Sequence, residues 1–464
     1  MLVFLPLTNK NIARVRACYR RCTYGLADYS VGMKLMWKGY FHSAVAFSCG
    51  CLIVKENFGG KVRFDYPVPE TDDADVSAAL CEIERYCMEN YIPLAFYGVP
   101  QSKVGELAAR YRSVRTKTSV NLDEYVYEAE NMMSFAGRHY SGQRNHINKF
   151  RKLYPDATFR TLEKKDEKKI EEFFGRFEYN SEKTGKDAGA ELRHSKTVLR
   201  RGFPWGCAGC IELDGKIIAL SLGEICGDVM VIHIEKALHE YEGAYTTIVE
   251  EFARRFCGGV RYINREEDNG DAGLRRSKTQ YRPKLRLRKY DVFVDTELRF
   301  WDRVPTIKTE RLTLGAITSA DIADYNRLCL DDERNKYWGY DYRADCPDPD
   351  EKYFLRVTEE DFFTRTAVNF AVRAGEKFAG EVVVYDFDYH GGAQIGVRIL
   401  PEFDGRGYGK EAVAAVIDRM LYDPGLSVVY AKCHRENVKS FRMLSAVMEK
   451  AGEDETFRFF ERRV

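Results

Sequence analysis

The chain has 464 residues, three domains' worth at roughly 150 residues each, and its 45% hydrophobic and 31% charged content, with 29 Tyr and 28 Phe, excludes large-scale disorder. The longest weakly polar run, 43–54, is shorter than the roughly 18 residues of a membrane span, and the start, Met1-Leu-Val-Phe-Leu-Pro-Leu7, has neither a basic leader nor a small-residue cleavage site, so a cytoplasmic protein is expected. The net charge of +1 hides an asymmetry: residues 305–464 hold 23 Lys+Arg against 29 Asp+Glu, leaving 49 against 42 in residues 1–304, so the two parts face different partners.

In chain order, residues 1–135 are compatible with one α/β module. Residues 136–156 read as a basic connector, helical in the second half, because Ile147, Phe150, Arg151 and Tyr154 share a face at helical spacing. Residues 157–295 read as a second module: helix 168–177, strands 209–213, 217–224 and 229–235 joined by Asp214-Gly215 and Gly227-Asp228, helix 245–256 and strand 260–264. A linker is expected at 296–306. Residues 307–464 then repeat the order: helix 319–330, strands 369–373 and 380–386 around Gly375-Glu-Lys377, strand 393–400, and a helix from Gly409. The fold class is α/β, mixed with α+β. Thirteen cysteines, odd in number and irregularly spaced, read as free thiols. Cys207-Ala-Gly-Cys210 is a lone CxxC without a second pair or a His at zinc spacing, so no metal is expected.

The most informative stretch is Gln394-Ile-Gly-Val-Arg-Ile-Leu-Pro401 followed by Glu-Phe-Asp-Gly405-Arg-Gly-Tyr-Gly-Lys-Glu-Ala412. A strand enters a Gly-rich turn that opens a helix, so backbone N–H groups and a helix dipole converge on one point. A pyrophosphate suits that point, with Arg406 as a counter-charge, although a plain Gly-rich helix cap reads the same glycines. A dinucleotide fingerprint fails at Lys410 and a P-loop fails at Glu411.

Pro401-x-x-x-Gly405-Arg406-Gly407-Tyr408-Gly409-x-Glu411-Ala412 resembles the coenzyme A signature of GNAT acetyltransferases. Thr309-Glu-Arg-Leu-Thr-Leu314, the Trp338 segment and His434-Arg-Glu-Asn-Val-Lys-Ser440 resemble the subgroup that acetylates ribosomal-protein N-termini. The resemblance implies an N-acetyltransferase using acetyl-CoA and a small-molecule or peptide amine acceptor. It places the pyrophosphate on the amides of Arg406, Gly407, Tyr408, Gly409 and Lys410, the pantetheine on the strand of Val397 and Ile399, and the thioester between Asn437 and Ser440. Many relatives carry Glu where this chain has Gln394, which cannot titrate; Glu381, acting through water, is the substitute expected as base. Asn437 to Gly452 is about one helical turn longer than in the family, and Glu453 stands where Phe is usual. The acidic run 341–361 could attract a cationic amine or be a solvated face.

Residues 138–152 and 275–289 carry many Lys and Arg and no acid. They read as polyanion-facing surfaces or as faces packed on the acidic C-terminal part. Gly142-Gln-Arg-Asn-His-Ile-Asn-Lys-Phe150, His233-Ile-Glu-Lys-Ala237, Gly243-Ala-Tyr245 and Tyr262-Ile-Asn-Arg-Glu-Glu-Asp268 with Gly273-Leu-Arg-Arg-Ser-Lys278 resemble an uncharacterised family similar to the cytosolic part of phosphatidylglycerol lysyltransferase, a tandem GNAT-like pair. That resemblance implies transfer of an amino acid from aminoacyl-tRNA to a lipid or peptide, with candidate groups His233, Glu235, Glu266, Asp268, Arg275 and Lys278. A non-enzymatic polyanion-binding protein on the same folds is the remaining alternative.

Overall fold

A computed structural model describes residues 2–8, 10–183 and 206–464. Among these residues the chain forms three mixed sheets. The first orders its strands as Leu5–Pro6, Ala44–Ser48, Cys51–Phe58, Lys61–Phe64, Ala95–Pro100, Lys289–Val294 and Val114–Lys117, with Val68–Pro69 paired onto Cys51–Phe58. The second runs Leu285–Leu287, Glu124–Glu128, Tyr262–Asn264, Val229–Ala237, Lys216–Cys226, Cys207–Leu213 and Thr158–Thr161. The third runs Ile307–Lys308, Thr313–Ala316, Val368–Ala374, Lys377–Tyr385, Gly392–Ile399, Val428–His434, Phe457–Arg463 and Glu449–Glu453.

Each sheet contains one parallel pair, and in each it is short: Phe64 with Phe96, 229–231 with 262–264, and 392–394 with 428–430. A parallel pair needs a crossover, supplied here by helices Val76–Glu89, Ala244–Phe256 and Tyr408–Tyr422. Beyond those few pairs the two strands diverge, so all three sheets are forked at the same topological place. The third copy of the module, at the N-terminus, is thereby visible in strand order although its sequence carries no Gly-rich turn.

Local chemistry explains the elements. Asp214 and Gly215 both adopt positive φ, 49° and 76°, the geometry a two-residue hairpin turn demands. Helix Tyr408–Tyr422 buries Ala412, Val413, Val416, Ile417 and Met420, one stripe at helical spacing. The helix expected at 319–330 begins as a 3-10 turn, Ser319–Asp321, whose capping box pairs Thr318 with Asp321, and continues as Ile322–Cys329. The connector is a 3-10 turn, Arg138–Tyr140, followed by helix Ser141–Leu153, which buries Ile147 and Phe150.

Two strands cross the boundaries drawn from sequence. Glu124–Glu128, from the first segment, is an inner strand of the second sheet; Lys289–Val294, from the end of the second, lies inside the first sheet between Ala95–Pro100 and Val114–Lys117. One apolar core accordingly spans both modules, joining Val15, Phe64 and Phe96 to Leu220, Leu222 and Val231. The C-terminal sheet has its own core around Val382, Val384, Val413 and Val416. The segment expected as a linker, 296–306, is packed rather than free: Leu298 and Trp301 are buried in that C-terminal core, and Trp301 Nε1 donates to Asp423 at 2.7 Å.

Candidate active site

In the third sheet, strand Gly392–Ile399 leaves its parallel partner after Gln394 and Tyr430 while staying paired with Lys377–Tyr385 on its other side. Alternate backbone groups of 395–399 therefore face an open slot. At the far end of the slot the chain turns through Gly405 (φ 74°) and Gly407 (φ 79°), both left-handed, and enters helix Tyr408–Tyr422. Glu411 N closes the first helical bond onto Gly407 O at 3.2 Å, so the N–H groups of Tyr408, Gly409 and Lys410 precede any intrahelical acceptor. A Cβ at Gly409 would lie 3.5 Å from Ile399 Cγ1 and 4.0 Å from Val397 Cγ2, so the glycine lets the helix start sit on the strand. Arg406 is exposed at the turn, its guanidinium 5.5 Å from the Phe403 ring centroid.

The turn is braced from behind. Glu411 accepts from Thr309 Oγ1 (2.6 Å), Arg311 N (3.0 Å) and Arg311 Nε (2.7 Å), while Arg311 Nη1 donates to Arg406 O at 2.9 Å. Those bonds, with burial opposing, hold the Glu411 carboxyl below its usual range. Two sequence motifs a hundred residues apart, Thr309-Glu-Arg-Leu and the Glu of the Gly-rich signature, are thus one assembly whose product is the shape of the turn.

The sheet face opposite helix Tyr408–Tyr422 carries Tyr385, Gln394, Gly396 and Arg398, because residues two apart share a face and Tyr385 lies opposite Gln394. Trp338 covers this face: a Cβ at Gly396 would touch its ring at 3.2 Å, and Arg398 lies 4.1 Å from the ring centroid. Tyr337 packs on His434 (5.2 Å between centroids), which packs in turn on Phe457 (4.4 Å).

Glu381 does not occupy the role expected for it. Its side chain is fully buried, and it accepts from Tyr325 Oη (2.7 Å), Asn369 Nδ2 (2.7 Å), and Arg398 Nη2 (2.5 Å) and Nε (3.2 Å). Four donors occupy the carboxylate, which leaves no lone pair for a water; Glu381 is an internal strut. Asn437 Oδ1 caps the short helix Val438–Leu444 by accepting from Ser440 N at 3.1 Å. Glu453 lies on the edge strand Glu449–Glu453, paired with Lys450 at 2.7 Å. Within 341–361 Asp341 pairs with Arg343 and Asp350 with Arg356, which offsets two of the eight acids and leaves the stretch net acidic. Sequence reasoning missed Asp386, whose Oδ2 accepts from Gln394 Nε2 at 3.1 Å; no motif marks it, and only cross-strand register brings it there.

The N-terminal candidates fall into three separate pairings. His233, buried, contacts Glu266 Oε1 through Nδ1 at 2.9 Å, and burial lowers its pKa against the pull of Glu224. Lys278 reaches the carbonyls of Glu266 and Glu267, so it stands beside that pair, its pKa also lowered by burial. Glu235 does not share a face with His233 as the strand period predicts: a β-bulge at His233, between the pairs Leu222–Ile234 and Gly223–Ile232, reverses the alternation, and Glu235 is ion-paired with Arg265 beneath Tyr127, Tyr245 and Tyr281. Asp268 and Arg275 form their own bidentate pair, with Tyr125 Oη donating to Asp268 at 2.5 Å. Much of the basic charge is used internally: Lys149 on Glu242, Arg151 on Glu250 and Glu251, Arg288 on Asp123, and Lys289 on Asp28 and Glu124. At the fork of the second sheet, Gly243 is pressed against the His146 carbonyl and Phe150 of the connector helix, which covers the place where a phosphate turn would stand. Among the described residues no group of three His, Cys, Asp or Glu could hold a metal ion, and no helix is long and apolar enough to cross a membrane.

Comparison with known proteins matches residues 21–293 to the family model described as phosphatidylglycerol lysyltransferase, C-terminal, and residues 311–452 to that of the acetyltransferase (GNAT) domain. An uncharacterized protein of Mycoplasmoides gallisepticum is 24% identical over 176 residues, 37% of this chain and 56% of that protein, so the match spans little more than half of its curated relative. A conserved protein of unknown function from Bacteroides thetaiotaomicron superposes with a TM-score of 0.57 at 25% identity, covering 63% of this chain and 99% of that one. The spermidine N-acetyltransferase of Vibrio cholerae, solved in complex with CoA and spermine, gives a TM-score of 0.29 at 17% identity over 33% of this chain and 96% of its own.

Proposed function

The chain belongs to the phosphatidylglycerol lysyltransferase C-terminal family and carries a GNAT acetyltransferase domain behind that region; from this premise we propose that it is an acyltransferase whose C-terminal domain is an acetyl-CoA-dependent N-acetyltransferase acting on a primary amine. The carrying observation is the fork at Gln394 and Tyr430 ending in the braced, left-handed turn of Gly405 and Gly407. The slot offers strand-like hydrogen bonds to an extended amide-containing chain, and the amides of Tyr408, Gly409 and Lys410 offer charge-assisted bonds to a pyrophosphate at the positive end of a 15-residue helix. Asn437 and Ser440 would line the mouth of the slot, Ser440 through its hydroxyl. A bound thioester supplies an activated acyl carbon; the protein's task is to orient it, exclude water beneath Trp338 and accept the amine's proton. Isothermal titration of acetyl-CoA into the full chain tests the reading: micromolar binding supports it, and no binding removes it.

A second reading concerns the N-terminal pair and rests on the covered position of Gly243. With that turn closed by the connector helix, a coenzyme A donor has no phosphate seat in the second module, whereas the buried His233 and the half-buried Glu266 and Lys278 remain grouped beside one another. Aminoacyl transfer from aminoacyl-tRNA fits such a module better, with a more distant polyanion contact in place of the covered turn. Salt-dependent retention of aminoacyl-tRNA, with loss of aminoacyl transfer in His233→Ala, supports this; retention without any turnover in the native chain would favour a binding role alone.

A further inference from the structure

A thioester is attacked by a neutral amine, so an ammonium must first yield a proton to a base beside the fork. Gln394 does not titrate, and Glu381 is occupied by four donors. Gln394 leads to a different group, because its Nε2 donates to Asp386 Oδ2. Asp386 is the residue after Tyr385, the cross-strand partner of Gln394, and leaves the strand with φ of 51°. The charged and titratable groups that face it are Lys432 from strand Val428–His434, Glu89 at the end of the first module's helix Val76–Glu89, Tyr91 in the turn after that helix, and the neighbouring Tyr385. Burial, helped by Glu89 and opposed by Lys432, pushes the Asp386 carboxyl up to about 6, the range in which a carboxylate accepts protons effectively near neutral pH.

The other end of the same loop is built into the first module. Asp388 Oδ1 accepts from the N–H groups of His390 and Gly392, both at 2.8 Å, and so fixes the turn. Tyr389 is 4% exposed and belongs to the N-terminal core, edge-on to Tyr111 at 6.4 Å. His390 stacks on Tyr111 at 5.8 Å with its Nε2 3.2 Å from Glu84 Oε2. Arg112 Nη1 presses on Gly391 and bonds Gly425 O (3.2 Å) and Ser427 Oγ (3.4 Å), tying the loop to the strand that forms the other arm of the fork.

We propose that Asp386 is the general base of the C-terminal reaction and that the first module holds it over the fork through loop 387–392. The inference rests on the acetyltransferase reading. The substrate ammonium gives one proton to Asp386; the nitrogen lone pair forms the C–N bond at the thioester carbon; collapse breaks the C–S bond, and the second nitrogen proton leaves on the thiol. Asp386 then returns its proton to water. His390 and Arg112 are positioning residues, acting through the loop.

The test uses the full chain with acetyl-CoA and n-butylamine, reading thiol release from pH 5 to 9 and acetyl-CoA affinity by calorimetry, with melting curves as the check on folding. In the native chain the rate falls as pH drops through about 6. Asp386→Asn, nearly isosteric, is expected to be at least about 100-fold slower with that acid limb gone and acetyl-CoA affinity kept. His390→Ala and Arg112→Ala should lower kcat and move the limb while the KM for acetyl-CoA stays. An Asp386→Asn rate and limb like the native ones, a limb abolished by His434→Gln instead, or acetyl-CoA bound without pH-dependent thiol release would overturn the assignment. Absence of acetyl-CoA binding by the native chain would instead remove the underlying acetyltransferase reading.

Discussion

Gly407→Asp separates the site from the fold. Gly407 has φ of 79°, which costs a non-glycine residue about 1–2 kcal/mol, at the lower end for Asp. The new Cβ would meet only Arg311 Nη2, at 3.4 Å, the movable end of a flexible side chain. An aspartate at this helix-capping position can also accept from the first-turn amides, recovering about 1 kcal/mol, so the folded state should lose little. A bound pyrophosphate would lose those same amides to the carboxylate and face a like charge. Two charge-assisted hydrogen bonds at about 1.5–3 kcal/mol each amount to at least about 3 kcal/mol, more than about 100-fold in affinity. Calorimetry with acetyl-CoA and a melting curve on the same sample measure both sides. Gly407→Ala, which strains the backbone but leaves the amides free, should fall in between. Affinity of Gly407→Asp within about threefold of native, with an unchanged melting temperature, would refute the assignment of this turn to the cofactor.

Glu411→Gln should weaken acetyl-CoA binding without touching the ligand, because it loosens Thr309 and Arg311 behind the turn; native affinity in calorimetry would show that the brace is dispensable. Arg398→Ala leaves Glu381 charged and unpaired inside the sheet and should cost about 3–5 kcal/mol in urea unfolding, whereas a cost under about 1 kcal/mol would mean that Tyr325 and Asn369 suffice. Glu124, buried between the N-terminal modules with Asp28 and Glu267 nearby and Lys289 opposing, has its carboxyl pushed up to about 7. The folded chain then holds a proton there that the unfolded chain releases at lower pH, so stability falls as pH rises from the ordinary carboxylate range towards 7. Glu124→Gln should flatten that slope in urea titrations at pH 5, 6 and 7, and an unaltered slope would assign it elsewhere.

What could be read from sequence is what local chemistry decides. Asp214-Gly215 specifies its own turn, and the glycines at 405, 407 and 409 are needed where the chain bends left-handed and then lies on Ile399. Pairings set by distant segments were not legible. Glu124-Tyr-Val-Tyr-Glu128 reads as a strand, but nothing in it says that its neighbours are 262–264 and 285–287. Lys289 looks like one more surface cation in a basic run, and only the second module's docking brings Asp28 and Glu124 to it. Glu381 and Asp386 are five residues apart on one strand and its exit; which is sealed by an arginine and which meets Gln394 depends on the partners opposite them. Leu298 and Trp301 sat in a stretch whose composition suggests a connector, yet their apolar area is the reason it is not free.

The exchange of strands between the first two sheets also sets a timetable for synthesis. Strand Val114–Lys117 cannot reach Ala95–Pro100 until Lys289–Val294 arrives to lie between them. At about 5–20 residues per second, the ribosome leaves that gap open for on the order of ten to thirty seconds. Through that interval the nascent chain carries unfilled inner edges of the kind that invite mispairing between chains. The first module therefore completes its sheet only when the second is nearly finished, and the pair is born as a single folding unit before the C-terminal domain begins to emerge.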